Sequence, residues 1–145
     1  MNASRRISIS ATFLWIGFVC AISFMEAWLK FQAPGIDTKL GLGIGRLVFG
    51  ALNKVEWVLA LAIAISHIMN TKMVSVRTIF YIIPAIILIA QTFYILPQLD
   101  ARAEMIIQNQ PLPDSNLHLV SVIAEIVKVI SLVIFGINQF EKDKT

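Results

Sequence analysis

Apolar residues run almost unbroken through four stretches of the chain, at about 7–29, 46–68, 75–97 and 117–138, and the segments between them carry many of the acidic, basic and turn-forming residues. At about 1.5 Å of rise per helical residue, each stretch is long enough to cross a hydrocarbon layer of about 30 Å. Lipid offers no partner to a bare backbone, and the alternating pattern of a barrel strand is absent, so each stretch is predicted to be a helix. The expected fold is all-α: a four-helix transmembrane bundle, antiparallel, forming one integral membrane domain over 1–145 with external loops at 30–45 and 98–116.

Polar residues inside these stretches keep to helical spacing. In the fourth, His118, Ser121, Glu125 and Lys128 are three, four and three apart, which stacks them on one face. The second carries Arg46, Phe49, Asn53, Glu56, Ala60, Ile63 and His67 along one face. The third carries Arg77, Tyr81, Pro84, Leu88, Gln91, Ile95 and Gln98, and the first has Ser23, Glu26 and Lys30 near its outer end. A charge at the centre of a membrane helix costs about 2.5–3.5 kcal/mol, while each Leu, Ile, Val or Phe returns only about 0.3–0.6 kcal/mol, so these faces must look at protein.

Counting rise from each outer end puts Ser23, Asn53, Gln91 and Glu125 at a common depth of roughly 10–12 Å, with Glu56 and Lys128 about a turn deeper. The expectation is therefore one ligand or ion cluster in the outer half of the bundle, built from Glu26, Asn53, Glu56, Gln91, His118, Glu125 and Lys128, with Lys30 and Arg46 at its mouth. Glu125 is its candidate titrating group. Lys54 lies off the stripe, and is expected to snorkel outward or reach a neighbouring helix. The same residues also read as a structural network that sets helix register, with Glu125 paired to Lys128 and Glu56 paired to Lys54, Lys30 or Arg46.

Composition agrees with lipid as the solvent, since 57% of the residues are hydrophobic and only 14% charged, too little polar surface to cover a soluble core. The net charge of +3 is explained by topology. Arg5, Arg6, Lys72, Arg77, Lys142 and Lys144 fall on one side of a four-span chain, against Lys30, Lys39, Arg46 and Arg102 on the other, where Asp37, Asp100, Glu104 and Asp114 offset them. The positive-inside rule then places both termini in the cytoplasm of a bacterial inner membrane. No basic patch with interleaved aromatics points to nucleic acid. The S-R-R-I-S-I-S start reads as the approach to a retained first helix rather than a cleaved signal, and the lone Cys20 as a packing residue.

Turn chemistry refines the loops. Pro34-Gly35 marks a turn, and Gly41, Gly43 and Gly45 are expected to let the first external loop fold closely over the helices. Pro97 is taken as the outer end of the third helix, E-M-I-I-Q-N-Q as a short surface helix, and P-L-P-D-S-N as a turn that caps the fourth.

Chemistry beyond this is sparse. His67 and His118 lie toward opposite ends of their helices, on the order of 30 Å apart across a bilayer, so they cannot share one metal. Ser-His-Asp, paired-cysteine and HExxH arrangements are absent, so no catalytic residue, metal or cofactor is expected. The motifs E-A-W-L-K-F-Q-A-P-G, G-L-G-I-G-R-L-V-F-G-A-L-N-K-V-E-W and Y-I-L-P…S-N-L-H-L-V-S resemble a family of small uncharacterised bacterial four-helix inner-membrane proteins. More distantly they are similar to the transmembrane-protein-205-like and copper-resistance-D-like groups. The resemblance implies a fold rather than an activity.

The functional expectation is a non-enzymatic membrane protein whose cluster binds or moves a small polar or ionic ligand. Its expected partners are the lipid bilayer and a second copy of the chain or a membrane-complex subunit, with no nucleic acid. The alternatives are an accessory or assembly subunit with a purely structural ionic network, and a haem or metal-binding redox protein.

Overall fold

The computed structural model describes residues 2–69 and 78–140. These residues form a bundle of four long helices, α1 (Ala3–Gln32), α2 (Thr38–Ile68), α3 (Ile79–Ile107) and α4 (Leu117–Phe140), with no strand among them. Each is long and apolar enough to cross a membrane. The surface suits lipid: Leu47 is 77% exposed and Phe93 74%, while Arg5, Glu56, Glu125 and Lys128 are buried. A soluble domain distributes these residue types the other way round.

Side chains cap the starts of α1, α2 and α4. Asn2 accepts from the Arg5 amide, Asp37 accepts from the Leu40 amide at 2.8 Å, and Ser115 Oγ accepts from the Leu117 amide at 3.1 Å. The cap at Asp37 overturns the long first loop expected at 30–45. It starts α2 at Thr38, so the three alternate glycines are helical and only 33–37 connect α1 to α2. Gly41 has a packing reason, because a Cβ there would collide with the Phe31 ring.

The second loop is also shorter than expected, because α3 continues through Pro97 to Ile107. Residues Gln91–Ile95 form a π turn that ends two residues before Pro97. The carbonyl four residues before Pro97, where an α-helix would clash with the ring, belongs to this wider turn. The E-M-I-I segment is the last turn of α3 and not a separate surface helix; Asn109, with φ of 57°, closes it in the left-handed conformation, and the Gln110 amide bonds the Met105 carbonyl at 2.8 Å. Arg77, Lys72, Lys142 and Lys144, used in the charge argument, lie outside the described residues.

Trp15, Val19, Ile63, Leu88, Leu132 and Phe135 form the apolar core. α1 meets α4 where Gly136 faces Thr12 and Phe13, and α3 meets α2 where the Tyr81 hydroxyl donates to the Ala60 carbonyl at 2.7 Å. One end of this core is solid, filled by His67, Tyr81 and Phe135, whose rings lie 5.6–6.1 Å apart. The other end opens into a cavity.

Candidate functional site

The cavity has a volume of about 630 Å³ and takes wall residues from all four helices. Its polar lining includes Ser23 and Lys30 of α1, Arg46 and Glu56 of α2, Gln91, Thr92 and Asp100 of α3, and His118, Ser121 and Glu125 of α4. Two π turns border it, Cys20–Glu26 in α1 and Gln91–Ile95 in α3. A π turn inserts a residue into the helical repeat and rotates the part of the helix beyond it. In α3 the rotation puts Gln91 and Ile95 inside and then buries Ala103, so Gln98, expected on the inner face, is exposed.

An ionic network forms the deep wall. Lys128, with none of its surface exposed, extends Nζ to Glu56 Oε1 at 2.5 Å and to Glu125 Oε1 at 3.4 Å. Trp15 Nε1 donates to the same Glu56 oxygen at 2.8 Å, and Gln91 Nε2 donates to Glu125 Oε1 at 2.6 Å. Glu56 and Glu125 line the cavity, while Lys128 sits behind them, so the ammonium joins two helices without facing the void. Such a triad persists because removing one member strands the others in a low dielectric. Four of the expected cluster residues, Glu56, Gln91, Glu125 and Lys128, are thus brought together.

The remaining expected residues divide. Arg46 bonds both Asp100 oxygens, at 2.5 and 3.0 Å, and also Glu104, tying α2 to α3 at the cavity's open end. Lys30 pairs with Glu26 at 3.2 Å and lies over the Phe31 and Phe49 rings, and a Cβ at Gly45 would sit 3.0 Å from its Nζ. His118 lines the same end, whereas Glu26 touches the site only through Lys30. Asn53 is not on the cavity wall. Its amide donates to Thr92 Oγ1 at 2.9 Å, an oxygen that also receives Trp57 Nε1, and the Thr92 hydroxyl in turn reaches the Leu88 carbonyl.

Glu56 pairs with Lys128, not with Lys54, Lys30 or Arg46, and Lys54 is exposed. Cys20 is half-buried in the α1 π turn. His67 is buried in the aromatic end with Nδ1 3.0 Å from the Ile63 carbonyl, so the two histidines occupy separate environments. Among the described residues no three His, Cys, Asp or Glu side chains gather as metal ligands.

Sequence reasoning missed Trp15, Trp57, Thr92, Asp100 and Glu104. A signal for Trp15 exists, since Ser8, Thr12, Trp15 and Val19 continue the three-four spacing along α1 and all four are buried. Asp100 and Glu104 stand four apart, but ending α3 at Pro97 assigned them to a loop.

Three buried polar atoms at the cavity have no hydrogen-bond partner among the described residues: Ser23 Oγ, Gln91 Oε1 and Glu125 Oε2. The site is therefore a mostly apolar hollow with an ionic floor and unsatisfied oxygens, a composition typical of small-molecule pockets. Comparison of the chain with protein-family models, with curated proteins and with solved structures finds no match to any of them.

Proposed function

We propose that the chain is an integral protein of a bacterial inner membrane whose cavity binds a small polar or ionic ligand, as a step in moving that ligand or sensing it. One observation carries the reading: Glu125 Oε2 and Gln91 Oε1 are buried without partners beside a hollow of about 630 Å³. An unpaired buried acceptor costs about 1–3 kcal/mol, a cost that a ligand donor would remove.

The threading that goes with this reading is up-and-down. It is supported by the order of cross-helix pairs: Phe31 with Gly41 and Trp15 with Glu56, then Arg46 with Asp100 and Ala60 with Tyr81, then Gln91 with Glu125, and Arg5 with the Gln139 carbonyl. The bias of basic residues puts both termini in the cytoplasm, so the cavity faces the opposite side, beside the 33–37 and 108–116 connections. A second copy of the chain would complete any pathway through the membrane, as four short helices enclose too little space around a packed aromatic end. Membership of the four-helix inner-membrane family that the motifs resemble fits this architecture.

A second reading, an accessory subunit with a structural ionic network, is favoured by the full burial of Lys128 between Glu56 and Glu125. The combined variant Glu56→Gln, Glu125→Gln, Lys128→Met, which removes the ionic network without stranding a buried charge, separates the two. Purified protein is screened by thermal shift against small amines, carboxylates and polyols, alongside co-purification of native membrane partners. Ligand stabilisation lost with partners retained supports the binding site; partners lost with ligand stabilisation retained supports assembly.

A further inference from the structure

The oxygens left unpartnered in the cavity also state what they would receive. Resting on the reading of the cavity as a binding site, we propose that its ligand is an organic cation: a primary ammonium on an apolar body, held by Glu125 Oε2 and Gln91 Oε1. The direction of the Gln91 amide is fixed, because its contact with Glu125 Oε1 at 2.6 Å pairs it with a carboxylate oxygen, which calls for the N–H end. The amide oxygen is therefore the free end, and it accepts. Glu125 Oε1 already receives Gln91 and Lys128, so its second oxygen is the free acceptor. Both side chains are more than nine-tenths buried, Gln91 at 5% exposed and Glu125 at 7%. Two fixed acceptors call for a donor, and an ammonium supplies three N–H groups from one atom.

Charge points the same way. The cations on and behind the cavity wall are Lys30, Arg46 and Lys128, and the carboxylates they pair with are Glu26, Glu56, Asp100, Glu104 and Glu125. Three against five leaves an excess of two negative charges, which attracts a cation and repels an anion. A hollow of about 630 Å³ has room for far more than a bare ion and lies in the range of drug-sized molecules, and its walls include Phe24, Phe49, Leu52 and Ile95. The apolar body would lie against these walls with its ammonium on Glu125. A soluble amine and the ammonium headgroup of phosphatidylethanolamine share this chemistry.

The test is calorimetric titration of the full chain in nanodiscs of phosphatidylcholine, a lipid with no primary amine, with phenethylammonium, phenethyl alcohol and 3-phenylpropionate. Saturable one-to-one binding of the ammonium, at least tenfold tighter than either analogue, is expected. Glu125→Gln weakens it at least tenfold, and so does Gln91→Leu, which leaves the Lys128–Glu56 pair intact. Equal or tighter binding of the alcohol or the carboxylate overturns the cation assignment but keeps the binding site. Unchanged ammonium affinity in both variants, each folded by its unfolding transition, also overturns it. Binding of none of the three overturns the cation assignment and the binding-site reading together. Repeating the titration with phosphatidylethanolamine in the discs separates the sources: weaker apparent amine affinity identifies the lipid headgroup as occupant, and unchanged affinity identifies a free amine.

Discussion

At the level of single residues, Lys128 is the most deeply buried charged side chain among the described residues, and its ammonium is held by Glu56 and Glu125. Lys128→Met leaves both carboxylates without their cation, and is expected to destabilise the protein by about 3–5 kcal/mol. Adding Glu56→Gln and Glu125→Gln restores most of that loss, because no uncompensated charge then remains. Denaturant unfolding in detergent measures both steps, and a single variant as stable as the parent would contradict the role given to this lysine. That Lys128 turns inward was legible in the sequence, since lipid penalises a charge wherever it sits along the chain. Its main partner was not. Lys128 touches Glu125 three residues away, but the shorter contact is to Glu56 across the bundle, and only the relative register of α2 and α4 brings those atoms to 2.5 Å.

On the scale of helices, the two π turns decide which residues reach the cavity. The turn at Gln91–Ile95 rotates the rest of α3, so that Asp100 and Glu104 meet Arg46 and Gln98 faces out. Deleting Phe93, an exposed residue of this turn, is expected to turn it into a plain helical repeat and leave 96–107 on their present faces, because the turn takes up one extra residue, about 100° of twist. Arg46 then keeps its acidic partners. Coupling between Arg46→Met and Asp100→Asn in a double-mutant cycle, measurable in the parent, should persist in the deletion. Coupling that falls to zero would show that the π turn does not set this register. Pro97 misleads a reading by composition, because a proline commonly ends a helix, whereas here it comes after a turn whose hydrogen bonding is already altered. Gly41 is the reverse case: its place in the close packing of α2 against Phe31 matches the expected close approach, although it is helical.

For the whole molecule, the proposed orientation makes a direct prediction. A fluorescent-protein fusion after residue 145 is expected to fluoresce in the cytoplasm, and a single cysteine at Ser115 in a Cys20→Ser background to react with a membrane-impermeant maleimide added outside intact spheroplasts. Labelling only after lysis would invert the topology, and the side on which the cavity opens with it. The count of long apolar helices and the inward turn of most of their ionisable faces were determined by the sequence alone. The physical reason is that the cost of a charge or a bare backbone in lipid depends on the segment itself and adds up residue by residue. Tertiary structure decided that Glu56, Gln91, Glu125 and Lys128 form one network, that Asn53 turns to Thr92 instead, and that a hollow remains above the ionic floor. Pairing and empty space are properties of helices set against one another, and sub-turn shifts such as the π turns are not encoded in any periodicity of the chain.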